Sequence, residues 1–242
     1  MLSYCPHEFS SSCPQNASPW VVKRRLCCLK LGIILSIATI FVAALAVGQA
    51  DVSCNPDNLR RQFDERVAVD QSARSALKVG VYDKEATDRA LKVDADNRLW
   101  FRPVLEKCDW PMQSEVGEKG ATNAWLLAQH ADMDPTFQVF AASKMKVAVL
   151  AGEAKGKLLA LLVDRNRRLQ NQSQVYGMQF NIQEKSKIVF LPVEAPEQLN
   201  QRRKEIGLEP FVCYINSLTV EKKLPAAWPD GVPFEPAKCN DP

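Results

Sequence analysis

The sequence predicts a mainly α-helical domain carrying one small β-hairpin, placed after an apolar N-terminal segment that serves as a signal peptide or membrane anchor. Three observations carry that expectation. From about residue 55 to 218, apolar residues recur mostly at the three-and-four spacing of one helix face. The region from about 174 to 193 breaks that period with two short runs of β-branched and aromatic residues around a polar turn. Finally, Leu31–Val47 (LGIILSIATIFVAALAV) runs for seventeen residues without a charge, directly after KRRLCCLK.

The basic flank of that run favours a cytoplasmic N-terminus with the remainder exported. Its length is at the lower limit for a spanning helix and slightly above a usual signal core. Gly48 and Ala50 offer small residues for cleavage before Asp51. A cleaved signal peptide is the first reading and a single-pass anchor the second. The chain then divides into a basic, disordered N-terminal region (1–30), the apolar segment (31–50), a helical domain (51–223) and a proline-rich irregular tail (224–242). The expected location is the periplasm or the extracytoplasmic face of the inner membrane, with the N-terminal segment as the sole membrane contact.

The net charge of +3 belongs to the leader, because residues 51–242 hold 27 basic and 27 acidic side chains. A neutral domain without a basic run interleaved with aromatics gives no reason to expect nucleic acid as a partner. Of eight cysteines, Cys54, Cys108, Cys213 and Cys239 fall in the exported part. An even number in an oxidising compartment points to two disulfides, with all three pairings open. No Cys-Xaa-Xaa-Cys occurs, and the one exported histidine, His130, is far along the chain from every cysteine. No metal site and no cofactor motif is read.

Asn55-Pro56 starts a first helix reaching Lys78, with Leu59, Phe63 and Leu77 on one stripe. A second spans about 94–108, and Pro103 should kink or divide it. The third, about 118–131, is apolar nearly all round and therefore buried. Asp134-Pro135 caps a fourth helix, to about Gly152, and a fifth covers about 157–169. After the hairpin come a helix from Pro196 to Ile206, closed by Gly207, and a short one from Glu209 to Leu218.

Helical wheels place polar groups where apolar ones belong. Asp70 lies in the middle of the Leu59–Phe63–Leu77 stripe, flanked by Arg66 and Arg74. Arg165 falls between Leu158 and Leu161 on the apolar side of the fifth helix, with Asp164 at its edge. Gln129 and His130 belong to a helix without a solvent face. A carboxylate facing a core is costly unless paired, so Asp70 should be neutralised by Arg165 or Arg74. His130 is the natural acid/base near neutral pH. No nucleophile elbow, P-loop or zinc-protease signature is present.

Asp70-Gln71, Val93-Asp94 with Asn97, Trp110-Pro111, Val116-Gly117 and Gln129-His130-Ala131-Asp132 follow one another in order. Asp164-Arg165, Gln174 with Tyr176-Gly177-Xaa-Gln179, and Arg202-Arg203 with Gly207-Leu208 complete the series. This pattern resembles a widespread bacterial domain family of unknown function over most of residues 60–215. The resemblance implies a helical domain but no mechanism. It also implies glycine where Asp109 stands and threonine where Met178 stands.

Two functions follow. The first is an exported binding or scaffold domain whose polar cluster is structural or holds a small ligand. The second is a metal-independent hydrolase or lyase, with His130, Asp70 and Arg165 catalytic. In either, Gln129, Asp132, Asp164, Gln174, Tyr176 and Gln179 are the candidate binding residues.

Overall fold

The computed structural model describes residues 52–77 and 81–239. The N-terminal region and the expected signal or anchor segment lie outside them. Among the described residues no helix is long and apolar enough to cross a membrane.

Among the described residues, seven α-helices and one hairpin form in chain order: α1 (Pro56–Arg74), α2 (Lys84–Cys108), α3 (Gln113–Gln129), α4 (Pro135–Leu150), α5 (Gly156–Leu169), β1 (Phe180–Gln183), β2 (Lys187–Phe190), α6 (Leu199–Glu205) and α7 (Phe211–Lys222). Their starts follow side-chain chemistry. Asn55, Asp83 and Asp134 each accept the backbone N–H three residues on, at 3.0, 2.9 and 2.8 Å, which satisfies an otherwise orphan donor. Helix α1 ends at Arg74, so Leu77 is not part of its stripe and is exposed.

Helix α2 begins ten residues earlier than the sequence predicts and runs through Pro103 undivided. The ring removes one backbone donor. Phe101, Val104 and Leu105, all fully buried around it, supply packing that offsets the loss. In α3, Gly117 departs from helical geometry at φ +75°, so the continuous helix starts at Glu118, close to the expected boundary.

Helix α1 packs on α2 and α3, and α4 packs on α5. Phe63, Phe101, Trp110, Phe137, Leu159 and Leu162 lie in their shared core. A second cluster gathers Ile188 and Phe190 of β2 with Leu199, Phe211, Ile215 and Leu218. The hairpin pairs Phe180 with Phe190 and Gln183 with Lys187. In the tail, Ala226 bridges Ile188 and Val232 joins the second core. Among the described residues the disulfides are Cys54–Cys108 and Cys213–Cys239. The first ties the chain before α1 to the end of α2, and the second ties the tail to α7.

Candidate functional site

Asp70 is fully buried on α1, on the stripe with Leu59 and Phe63. Its carboxylate is neutralised by Arg74, one turn on, whose Nη1 donates to Oδ1 at 2.7 Å. Gln71 Nε2 donates to Oδ2 at 2.8 Å. His130 caps the end of α3 and sets its Nδ1 3.0 Å from both carboxylate oxygens. Arg74 also reaches α2, where its Nη2 donates to Asp94 at 2.7 and 2.8 Å. One guanidinium thus joins two carboxylates from two helices.

Arg165 is not the counter-ion of Asp70. It forms a two-pronged pair with Asp132, Nε to Oδ1 at 2.9 Å and Nη2 to Oδ2 at 2.5 Å. Asp94 adds to the field that holds the Arg165 guanidinium protonated, after the dominant hydrogen bonding to Asp132. The side chains grade from sealed to open: 0% exposed at Asp70, 17% at His130, 37% at Arg165. His130 Nε2 makes no hydrogen bond among the described residues and is not sealed from solvent.

The two α1–α2 carboxyls are driven apart. Burial pushes Asp70 up, but hydrogen bonding and charge from His130, with Arg74 and Gln71, outweigh it and hold it below its ordinary value. At Asp94 burial wins over Arg74, and the carboxyl rises. Asp70, Asp94 and His130 each offer one ligand atom within 4.8 Å of the others, a spacing a metal ion could use. The Arg74 guanidinium already bridges both carboxylates, however, so a cation would have to displace it.

Asp164 and Arg165 exchange the places the wheel assigned them. Asp164 is fully buried and Arg165 is partly open. The reason is the loop after α5, which is not a strand at 174–179 but winds over Asp164. That carboxylate accepts the N–H groups of Val175 (2.7 Å), Tyr176 (3.1 Å) and Met178 (2.9 Å). Gly177 stands in this turn at φ +74°, and a Cβ there would meet the Phe211 ring at 2.6 Å. Gln174 closes the loop, giving Nε2 to Leu191 O at 2.7 Å and taking the Gln179 N–H at 2.7 Å.

Fully buried Arg203 holds the loop from below, donating to Tyr176 O at 2.7 Å and Glu209 O at 2.9 Å. Desolvation lowers its pKa to about 10. Asp164 and Gln174 are therefore loop anchors in this geometry. Met178, where the resemblance implies threonine, engages Asp164 through its backbone and sets its sulfur against Arg203. Gln129 is buried with its Oε1 unpartnered among the described residues, and Gln179 meets Arg168 Nη1 at 3.4 Å.

The residues of this site fall within the span of a known family. A family model for DUF6624, a family of unknown function, matches residues 58–224. The chain belongs to that family. No curated protein and no solved structure matches it. The DUF6624 match contains every residue of the cluster, from Asp70 to Arg203.

The DUF6624 residue that helical periodicity alone missed is Asp94. Ala90, Asn97 and Phe101 of α2 are buried, and Asp94 stands four residues after the first and three before the second. Starting that helix at Asp94 left its stripe undrawn. Extending it back to Ala86 and Ala90 would have shown a second carboxylate facing inward.

Proposed function

We propose that this protein works outside the cytoplasm as a binding domain with an acid–base site, in which His130 Nε2 exchanges a proton with a bound small molecule. The observation that carries this reading is the Asp70–His130 pair. A buried, charge-neutralised carboxylate takes one ring nitrogen and leaves the other free at a partly open surface. That is the base-plus-orienter half of a general acid–base centre. Without a protein nucleophile in hand, the chemistry it fits is hydrolysis by water or proton abstraction in an elimination. Asp94, its carboxyl raised by burial, is the second acid available beside it.

A second reading is favoured by one observation: Arg74, Gln71 and His130 occupy both oxygens of Asp70. On that reading the cluster is a structural tie between α1, α2 and α3 in an exported scaffold. The apolar run at 31–47 and the two disulfides support an extracytoplasmic site of action under either reading.

The test is untargeted. Wild-type protein, His130→Gln and Asp70→Asn would be incubated with a mixed small-molecule extract and followed by mass spectrometry. Depletion by wild type that falls roughly 10²–10⁴-fold in His130→Gln supports the acid–base site. Equal depletion by wild type and His130→Gln would overturn it. A cytoplasm-only reporter fused after residue 60 should be silent, and strong activity would overturn the export reading.

A further inference from the structure

A groove of about 490 Å³ runs between α4 and α5, within the range of small-molecule sites. Val139 and Ala142 of α4 face Leu159 and Val163 of α5 across it, and Tyr176 from the Asp164 loop closes one end. Helix α4 has an apolar face that none of the described residues covers. Val139, Val147 and Leu150 are 58, 66 and 63% exposed. Single exposed apolar residues are ordinary, but three at helical spacing beside a groove form a patch.

The floor of the groove is polar and fixed. Gln138 and Asn166 are buried and joined by a 3.0 Å hydrogen bond, and Gln138 also donates to the carbonyls of Ala128 and Gln129. Tyr176 is 6% exposed, and its hydroxyl has no partner among the described residues. The charge is one-sided. No acid lines the groove, whereas Lys146 and Arg167 do. Arg167 is paired with Glu194, but exposed Lys146 has no hydrogen bond or ion pair among the described residues.

An apolar slot with an uncompensated cation at its mouth complements one ligand chemistry. We infer that the α4–α5 groove binds a small amphipathic anion, its apolar body between Val139 and Val163 and its carboxylate on Lys146. The inference stands independently of any chemistry at His130, although Gln138 touches Asp132 at 3.3 Å and so gives the two places a common wall.

The probes are 4-phenylbutyrate and its uncharged counterpart 4-phenylbutan-1-ol. Each is titrated calorimetrically into the full chain in lipid nanodiscs, with empty nanodiscs as the blank. The acid should bind one to one. Lys146→Glu should weaken the acid at least tenfold and leave the alcohol as in wild type. Val163→Trp should fill the slot and abolish both, at an unchanged melting temperature. Three results would overturn the inference: no heat above the blank at millimolar acid, an alcohol that binds wild type as tightly as the acid, or a Lys146→Glu variant that binds the acid like wild type. If Val163→Trp fails to fold, the surface change at Lys146 still decides.

Discussion

His130 Nδ1 sits 3.0 Å from each oxygen of Asp70, sixty residues earlier in the chain, and the contact joins the end of α3 to the last turns of α1. The carboxylate would be prohibitively costly in that place alone. Arg74 neutralises it and is itself shared with Asp94.

Arg74 is the cation on which the cluster depends. Arg74→Met should destabilise the fold by about 3–5 kcal/mol, because it leaves the carboxylates of buried Asp70 and part-buried Asp94 facing one another. Arg165→Met removes a pair whose side chains are 37 and 30% exposed and should cost about 1 kcal/mol or less. Urea denaturation of both variants checks the order. A larger loss at Arg165 would contradict the assignment of Arg74 as the partner of Asp70.

Asp70 sets a sign for pH dependence. Its carboxyl is held below the ordinary value, so the stability it adds is complete above about pH 4 and is lost as pH falls through the depressed value. Asp94 and Asp164, both raised, work the other way and weaken the fold as pH rises through their raised values. The stability gap between wild type and Asp70→Asn should therefore shrink on acidification from about pH 5 to pH 3. A gap that stays constant or widens would contradict the direction.

Asp109 occupies φ +61°, ψ −161°, a region almost reserved for glycine, and the resemblance implies glycine there. Asp109→Gly should raise stability by about 1 kcal/mol, the low end of such strain, since it also loses the exposed Lys144 pair. Calorimetry should show the melting temperature rising by about 2–4 °C. A fall would show that Lys144 outweighs the backbone.

The two disulfides close loops of different length, with separations of 54 and 26 residues. Removing either as a Cys→Ser pair should cost on the order of 2–5 kcal/mol, and on loop entropy the first should cost about 0.6 kcal/mol more. Equal or reversed losses would show that local packing, not loop closure, decides.

Much of this was legible from periodicity. Asp70 on an apolar stripe announced a buried carboxylate, and the hairpin showed itself by its break in period. Two things were hidden. The partner of Asp70 depended on which cation the third dimension brought near, and a one-turn neighbour, Arg74, took the place that Arg165 could also have filled. The burial of Asp164 came from a loop folding over it, which a wheel drawn for one helix cannot contain. The strand expected from Gln174 begins only at Phe180 for the same reason, because the N–H groups of Val175, Tyr176 and Met178 go to a carboxylate instead of a neighbouring strand.

In the proposed acid–base role, Asp70 takes the proton-bearing nitrogen of His130 and leaves Nε2 bare as the base. Nitrogen-15 NMR of the histidine-labelled protein reads this directly, with His7→Gln used to isolate the ring of His130. The account predicts that neutral His130 carries its proton on Nδ1, donated to Asp70, and that Asp70→Asn releases that preference. A ring protonated on Nε2 in the wild-type protein, or a tautomer indifferent to Asp70→Asn, would contradict it.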